Sequence, residues 1–176
     1  MAKRYFPIIG VLVLLVSCNA VRVNYDYDPN TDFSSYATYD YFIDMETGLS
    51  QLDEKRLLRV LDSTLQSRGY LLSGEPDFLV NIMSEEYQGG PQNNVGVGLG
   101  GTNRNVGGGI SIGIPVGNTQ WERRIQFDFV DAQKNVLFWQ GVAQSGFREN
   151  ASPLVREEQL RKVVEKVFSK FPPKSK

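Results

Sequence analysis

An α+β domain is the fold class the sequence predicts: a single largely antiparallel sheet with two helices packed on one face and a glycine-rich hairpin insert. Period-two apolar alternation recurs in short stretches, while helical period occurs in only two. Most links between the strand-like stretches are short enough for hairpins. Two helices are too few to clothe both faces of such a sheet, which leaves a two-layer arrangement.

The chain of 176 residues opens with Lys3 and Arg4, an apolar run from Ile8 to Val16, and small Ser17 before Cys18. That is the layout of a secretory signal, and the run is short for a transmembrane helix. Leu15-Val16-Ser17-Cys18 resembles the bacterial lipoprotein cleavage box, whose thiol is acylated, with palmitate among the chains, and becomes the mature N-terminus. Residues 1–18 therefore read as a lipoprotein signal peptide and Cys18 as the lipidation site. Residues 19–24 read as a short tether running into the first strand, 25–171 as one domain, and 172–176 as a frayed tail. Several acyl chains hold a protein on a bilayer far better than one, so the mature chain is anchored to a membrane and does not span it.

Composition excludes much. Without Lys3 and Arg4 the chain keeps 17 basic residues against 20 acidic ones, which argues against nucleic acid as a partner. No other cysteine follows Cys18, so stability comes from packing without disulfides. There is no histidine, which removes Ser-His-Asp and Cys-His catalysis and histidine-ligated metals. No catalytic residue, no cofactor and no metal site is expected.

Val21 to Tyr25 alternates like a strand. Asp26, Asp28, Asn30 and Asp32 have the spacing of the first four ligands of a calcium loop, but Thr31 stands at its glycine position and Ala37 at its bidentate glutamate position. The stretch reads instead as strand, Asp-Pro turn and second strand through Phe42, its tyrosine rings packed and their hydroxyls in water. From Ser50 to Arg68, Leu57, Leu61 and Leu65, with Leu58 and Val60 beside them, line one helical face. Ser50 caps that helix and Gly69 stops it. Phe78 to Ser84 is a dense apolar run fit for a central strand. Glu85 and Glu86 follow, pointing to opposite faces as strand neighbours do, and read as solvated charges rather than a catalytic pair.

Residues 89–118 hold 11 of the 17 glycines and five asparagines. Gly96 to Gly101 satisfies G-x-G-x-x-G, but no helical pattern follows, as a dinucleotide fingerprint requires. Val95, Val97 and Leu99, then Ile110, Ile112, Ile114 and Val116, alternate instead as two strands around a glycine loop. Ile125, Phe127 and Phe129 form the next strand. The turn Asp131 to Asn135 leads into Val136 to Ala143, apolar on both faces, with Trp139 in the core. Glu122-Arg123-Arg124 is too short and too mixed for a nucleic-acid patch. Ser152-Pro153 starts a second helix with a cap and a first-position proline. Its stripe is Leu160, Val163, Val164, Val167, Phe168 and Phe171, with Arg156, Arg161, Lys162 and Lys166 on the wet side.

Several of these pieces line up with one family. Asp28-Pro29 before Asp32-Phe33-Ser34-Ser35-Tyr36-Ala37-Thr38-Tyr39 resembles its opening signature, and Arg68-Gly69-Tyr70 leads to Pro76-Asp77-Phe78-Leu79-Val80. Asp128-Phe129-Val130-Asp131-Ala132 before Leu137-Phe138-Trp139-Gln140-Gly141 is similar to its second half. The resemblance is to the domain-of-unknown-function 4136 family of bacterial envelope lipoproteins. Trp121-Glu122-Arg123-Arg124 departs from the Gly-Thr-Leu-like start of the corresponding strand. The resemblance implies no known reaction, so it carries over no catalytic residue.

The expected function is a non-enzymatic binding or scaffolding domain of an anchored envelope lipoprotein, with a protein partner or self-association through residues 89–118. The alternatives are a carrier or sensor of a small apolar ligand, and a hydrolase using carboxylates such as Asp26, Asp28, Glu85 or Asp128. Asn19 is not the aspartate that commonly retains lipoproteins in the inner membrane, and Ala20, Val21 and Arg22 offer no acidic surface-export signal. The expected location is the outer membrane, facing the periplasm.

Overall fold

The computed structural model describes residues 21–89, 94–96, 113–115 and 121–173. In chain order the strands are β1 (Arg22–Tyr27), β2 (Thr38–Tyr41), β3 (Leu71–Leu72), β4 (Phe78–Gln88), β5 (Asn94–Gly96), β6 (Gly113–Pro115), β7 (Trp121–Asp131) and β8 (Leu137–Gly146). The helices are α1 (Gln51–Gln66) and α2 (Pro153–Phe168). Six strands form one sheet in the order β1-β8-β7-β4-β2-β3. Among the described residues β5 and β6 pair only with each other, Val95 opposite Ile114. Most of the expected hairpin insert over 89–118 lies outside the described residues. β1 begins at Arg22, inside the span expected to be tether.

The sheet is mostly antiparallel but mixed, because β2 runs parallel to both β3 and β4. The Asp-Pro turn read between β1 and β2 does not join them as neighbours. β1 pairs with β8, from Arg22 opposite Gln144 to Tyr27 opposite Trp139, at the far edge from β2. The link between them crosses the end of the sheet, where Tyr36 stacks on Phe138 at 4.3 Å and Phe33 meets Phe138 and Phe171 edge-on. A proline turn dictates only that the chain bends. Covering the end of an aromatic core decides where it goes next.

Both helices form where their periods place them. Ser50 Oγ accepts from the Asp53 N–H at the start of α1. At its end Gly69, with φ of 93°, lets the Gly69 and Tyr70 N–H groups donate to the carbonyls of Gln66 and Leu65. Ser152 precedes Pro153 as expected, but its hydroxyl makes no capping hydrogen bond. The helices cover the same face of the sheet: Arg123 of β7 meets Asp53 of α1, and Phe127 of β7 meets Phe168 of α2. They also run in the same direction. Asp53 contacts Arg156 near their first turns, and Arg68 donates to the Phe171 carbonyl beyond their last. The domain thus has a helix-start end, where β1 begins, and an opposite end, where β1 finishes.

Between the layers lie Leu57, Leu61, Leu65, Phe78, Val80, Ile82, Ile125, Phe127, Phe129, Val164, Val167 and Phe168, all essentially without solvent contact. β7 and β8 form the expected hairpin, with one irregularity: Phe129 pairs with Trp139 but Val130 pairs with Leu137, leaving Phe138 bulged. The bulge explains how consecutive Phe138 and Trp139 are both buried. Trp139 then lies back over Gly141, where a Cβ would come within 2.6 Å of the indole and 2.8 Å of Val167. Glycine here clears the floor for the ring.

Four of the five tyrosine hydroxyls from Tyr25 to Tyr41 are not left in water; only that of Tyr27 is without a partner among the described residues. Tyr39 and Tyr41 both donate to Asp62 Oδ1, at 2.8 and 2.6 Å, and Tyr25 donates to the Lys166 carbonyl at 2.7 Å. Tyr36 donates to Asp131 Oδ2 at 2.8 Å; burial first, then that carboxylate, pushes its phenol up to about 12. A buried ring brings its hydroxyl with it, and the hydroxyl then needs a partner. Burial pushes Asp131 up, but the Lys134 and Gln133 N–H groups, Tyr36 and the Lys134 ammonium outweigh it and bring the carboxyl down to about 2. Its stabilising contribution is full above the ordinary value of 3.8 and lost as pH falls toward 2. Asp131→Asn should therefore destabilise the domain at neutral pH and flatten the acid limb of its stability curve, measured by denaturant unfolding from pH 5 downward.

Candidate functional site

Three places gather polar chemistry. The first is a charge cluster at the helix-start end. Asp53, fully buried in the first turn of α1, receives Arg56 Nη1 on Oδ1 at 2.8 Å and Arg156 Nη1 on Oδ2 at 2.8 Å. Arg123 approaches the same Oδ2 at 3.4 Å and pairs with Glu86 at 2.6 Å. Phe147 packs under the Arg123 guanidinium, 4.1 Å from ring centre to the cation. Three elements, α1, β7 and α2, are thereby pinned to one carboxylate. Arg156, expected on the wet side of its helix, is drawn inward to give the buried Asp53 its close partner on Oδ2.

The second is a half-open cleft of about 760 Å³ at the opposite end. Tyr27, Phe33, Tyr36 and Tyr70 line it with Pro172 and Pro173, and Asp32 and Arg68 stand at its rim. Its volume suits a small molecule. Its cation is partly engaged, since Arg68 donates to the Phe171 carbonyl, and Asp32 accepts from Ser34.

The third is the helix-free face of the sheet. There the pairing places Asp26, Gln140, Asp128 and Asn81 in one row across β1, β8, β7 and β4. Asp128 is held by the amides of Gln140 and Gln126 at 2.8 and 3.0 Å. Asp26 and Asp28 both border a shallow hollow of about 250 Å³ beside Gln140.

The residues singled out in the sequence are otherwise dispersed. Asp28 caps its own turn through the Asn30 N–H, and Asp32 caps the following one through Ser34, so the calcium-like spacing does not converge on a point. Glu85 and Glu86 point to opposite faces, toward Arg124 and Arg123 respectively. Cys18 lies outside the described residues, as does the G-x-G-x-x-G stretch beyond Gly96.

The profile of the family described as Domain of unknown function (DUF4136) matches residues 23–173. The chain belongs to the DUF4136 family. No curated protein matches it. Among solved structures, a PDZ domain protein from Parabacteroides distasonis is similar with a TM-score of 0.58 at 13% identity, over 89% of this chain. This chain spans 37% of that protein's length. PelC from Paraburkholderia phytofirmans, crystallised as a dodecamer, gives a TM-score of 0.49 at 9% identity, over 85% of this chain and 95% of that one. At such identities the first likeness concerns the fold alone. In this DUF4136 chain the segment that departs from the resemblance, Trp121 to Arg124, supplies Arg123 to the buried cluster. Sequence reading missed that cluster. The available signal was Asp53 itself, four residues before Leu57 on the stripe that continues to Leu61 and Leu65, where a carboxylate is buried only with partners.

Proposed function

We propose that the chain is an outer-membrane lipoprotein, acylated at Cys18, whose DUF4136 domain serves the periplasm as a non-enzymatic binding or scaffolding module. The observation that carries this reading is the order basic start, apolar core and Leu-Val-Ser-Cys box, followed after only three residues by a strand at Arg22. An anchor joined so directly to a folded edge holds the domain at a surface. A binding role is favoured because the conspicuous carboxylates serve structure: Asp53 under three arginines, Asp128 between two glutamines, Glu85 on Arg124. Residues 89–118 are the surface offered to a protein partner or a second copy. Gln88 and Trp121 pair, so that segment leaves and rejoins the sheet at the helix-start end. The alternative, a carrier of a small apolar ligand, draws its support from the cleft around Tyr27 and Tyr70.

Expressed with its signal, the protein should fractionate with outer membranes, resist impermeant labels on intact cells, and show an acylated Cys18 by mass spectrometry. Cys18→Ser should accumulate as unprocessed precursor without acyl chains. A mature terminus elsewhere with no lipid sinks the reading. Native mass spectrometry of the purified protein reads the alternative directly, as a retained ligand lost in Tyr70→Ala.

A further inference from the structure

We infer that the helix-start end of the domain rests against the phospholipid surface and that the Tyr27–Tyr70 cleft opens away from it. The inference rests on the acylation of Cys18 proposed above and adds an orientation to it. Four peptide steps separate Cys18 from Arg22, a reach of on the order of 14 Å at full extension. Arg22 is no loose end. It begins a strand paired with β8 along its whole length, and its guanidinium holds Glu122 at 3.0 Å. The start of β1 therefore cannot swing away from the anchor. Tyr27, the other end of β1, lies roughly 17 Å further on at about 3.3 Å per residue. The 16 residues of α1 run about 24 Å in the same direction.

Side chains at the helix-start end suit a lipid interface. Trp121, 48% exposed, stands where β7 begins, and indoles favour the headgroup region. Leu52, 63% exposed, and Leu154, 79% exposed, project from the first turns of the two helices. Leu71, Leu72, Val136 and Leu137 are exposed toward the opposite end, so the tether and not the number of apolar side chains decides which end faces lipid. At this end Arg22 pairs with Glu122 and Arg124 with Glu85, and exposed Asp44 and Glu46 add negative charge before α1. The matching surface is zwitterionic, and contact does not require anionic lipid.

The test uses acylated full-length protein in phosphatidylethanolamine–phosphatidylcholine vesicles doped with a headgroup-nitroxide lipid. Trp121 and Trp139 are the only tryptophans, and Trp139 is buried. Nitroxide lipid should roughly halve the Trp121 emission, a loss absent in Trp121→Phe and little changed by salt. A fluorophore on Gln133→Cys, in the exposed turn between β7 and β8, should stay unquenched. Protein that floats with the vesicles and carries its acyl mass, yet shows unquenched Trp121 or a quenched Gln133 probe, overturns the orientation while leaving the anchor intact. Protein that neither floats nor carries acyl chains overturns both.

Discussion

Asp53→Ala should destabilise the domain by about 3–5 kcal/mol, the range for removing one partner of a buried ion pair. The substitution leaves Arg123 beside Glu86 alone and strands the guanidiniums of Arg56 and Arg156, which now repel one another with little water to screen them. A domain of ordinary stability holds only about 5–15 kcal/mol, so much of it would go. The readout is the denaturant midpoint at neutral pH. Asp53→Asn separates charge from shape: it keeps the contacts' geometry but not the attraction, and should recover only a minor part. Replacing Asp53, Arg123 and Arg156 together by leucine and methionine should come much closer to native stability, because a cluster removed whole leaves no orphaned charge. A loss below about 1 kcal/mol in Asp53→Ala would mean that water reaches the arginines and that the cluster is a surface feature.

Trp139→Ala is the second large effect, roughly 3–5 kcal/mol from lost burial and the cavity left behind. The indole sits 4.8 Å from Phe129, 4.9 Å from Phe171 and 5.4 Å from Phe168, ring centre to ring centre, so one truncation loosens the sheet and the end of α2 together. Collapse into the space is opposed by Gly141, which has no side chain to move. Thermal unfolding followed by far-ultraviolet dichroism reads the loss. Near-native melting would place the ring at the surface and contradict the bulge that turns Phe138 and Trp139 to the same side.

Much of the scaffold was legible because local rules and tertiary packing agree there. The leucines of α1 at spacing four, the valines and phenylalanines of α2, and Ile125, Phe127 and Phe129 at spacing two all face the core their periods indicate. Gly69 ends α1 by the backbone geometry its sequence position suggests. The tyrosine hydroxyls were misread for a specific reason. Tyr39 and Tyr41 find Asp62 about twenty residues away, and alternation along a strand carries no information about which helix will lie above it.

By itself the sequence determined the α+β class, the two helices with their buried stripes, the β7–β8 hairpin and the position of Trp139 in the core. These follow from period and turn chemistry, which act over a few residues. Only the tertiary structure decided that β1 takes one edge of the sheet while β2 goes to the far side between β4 and β3, that the sheet is mixed, and that Asp53 gathers arginines from three elements. Such choices are settled by contacts between residues 40 to 103 positions apart in the chain, Ala37 with Asp77 or Asp53 with Arg156, whose burial and pairing outweigh any local preference for where the chain turns next.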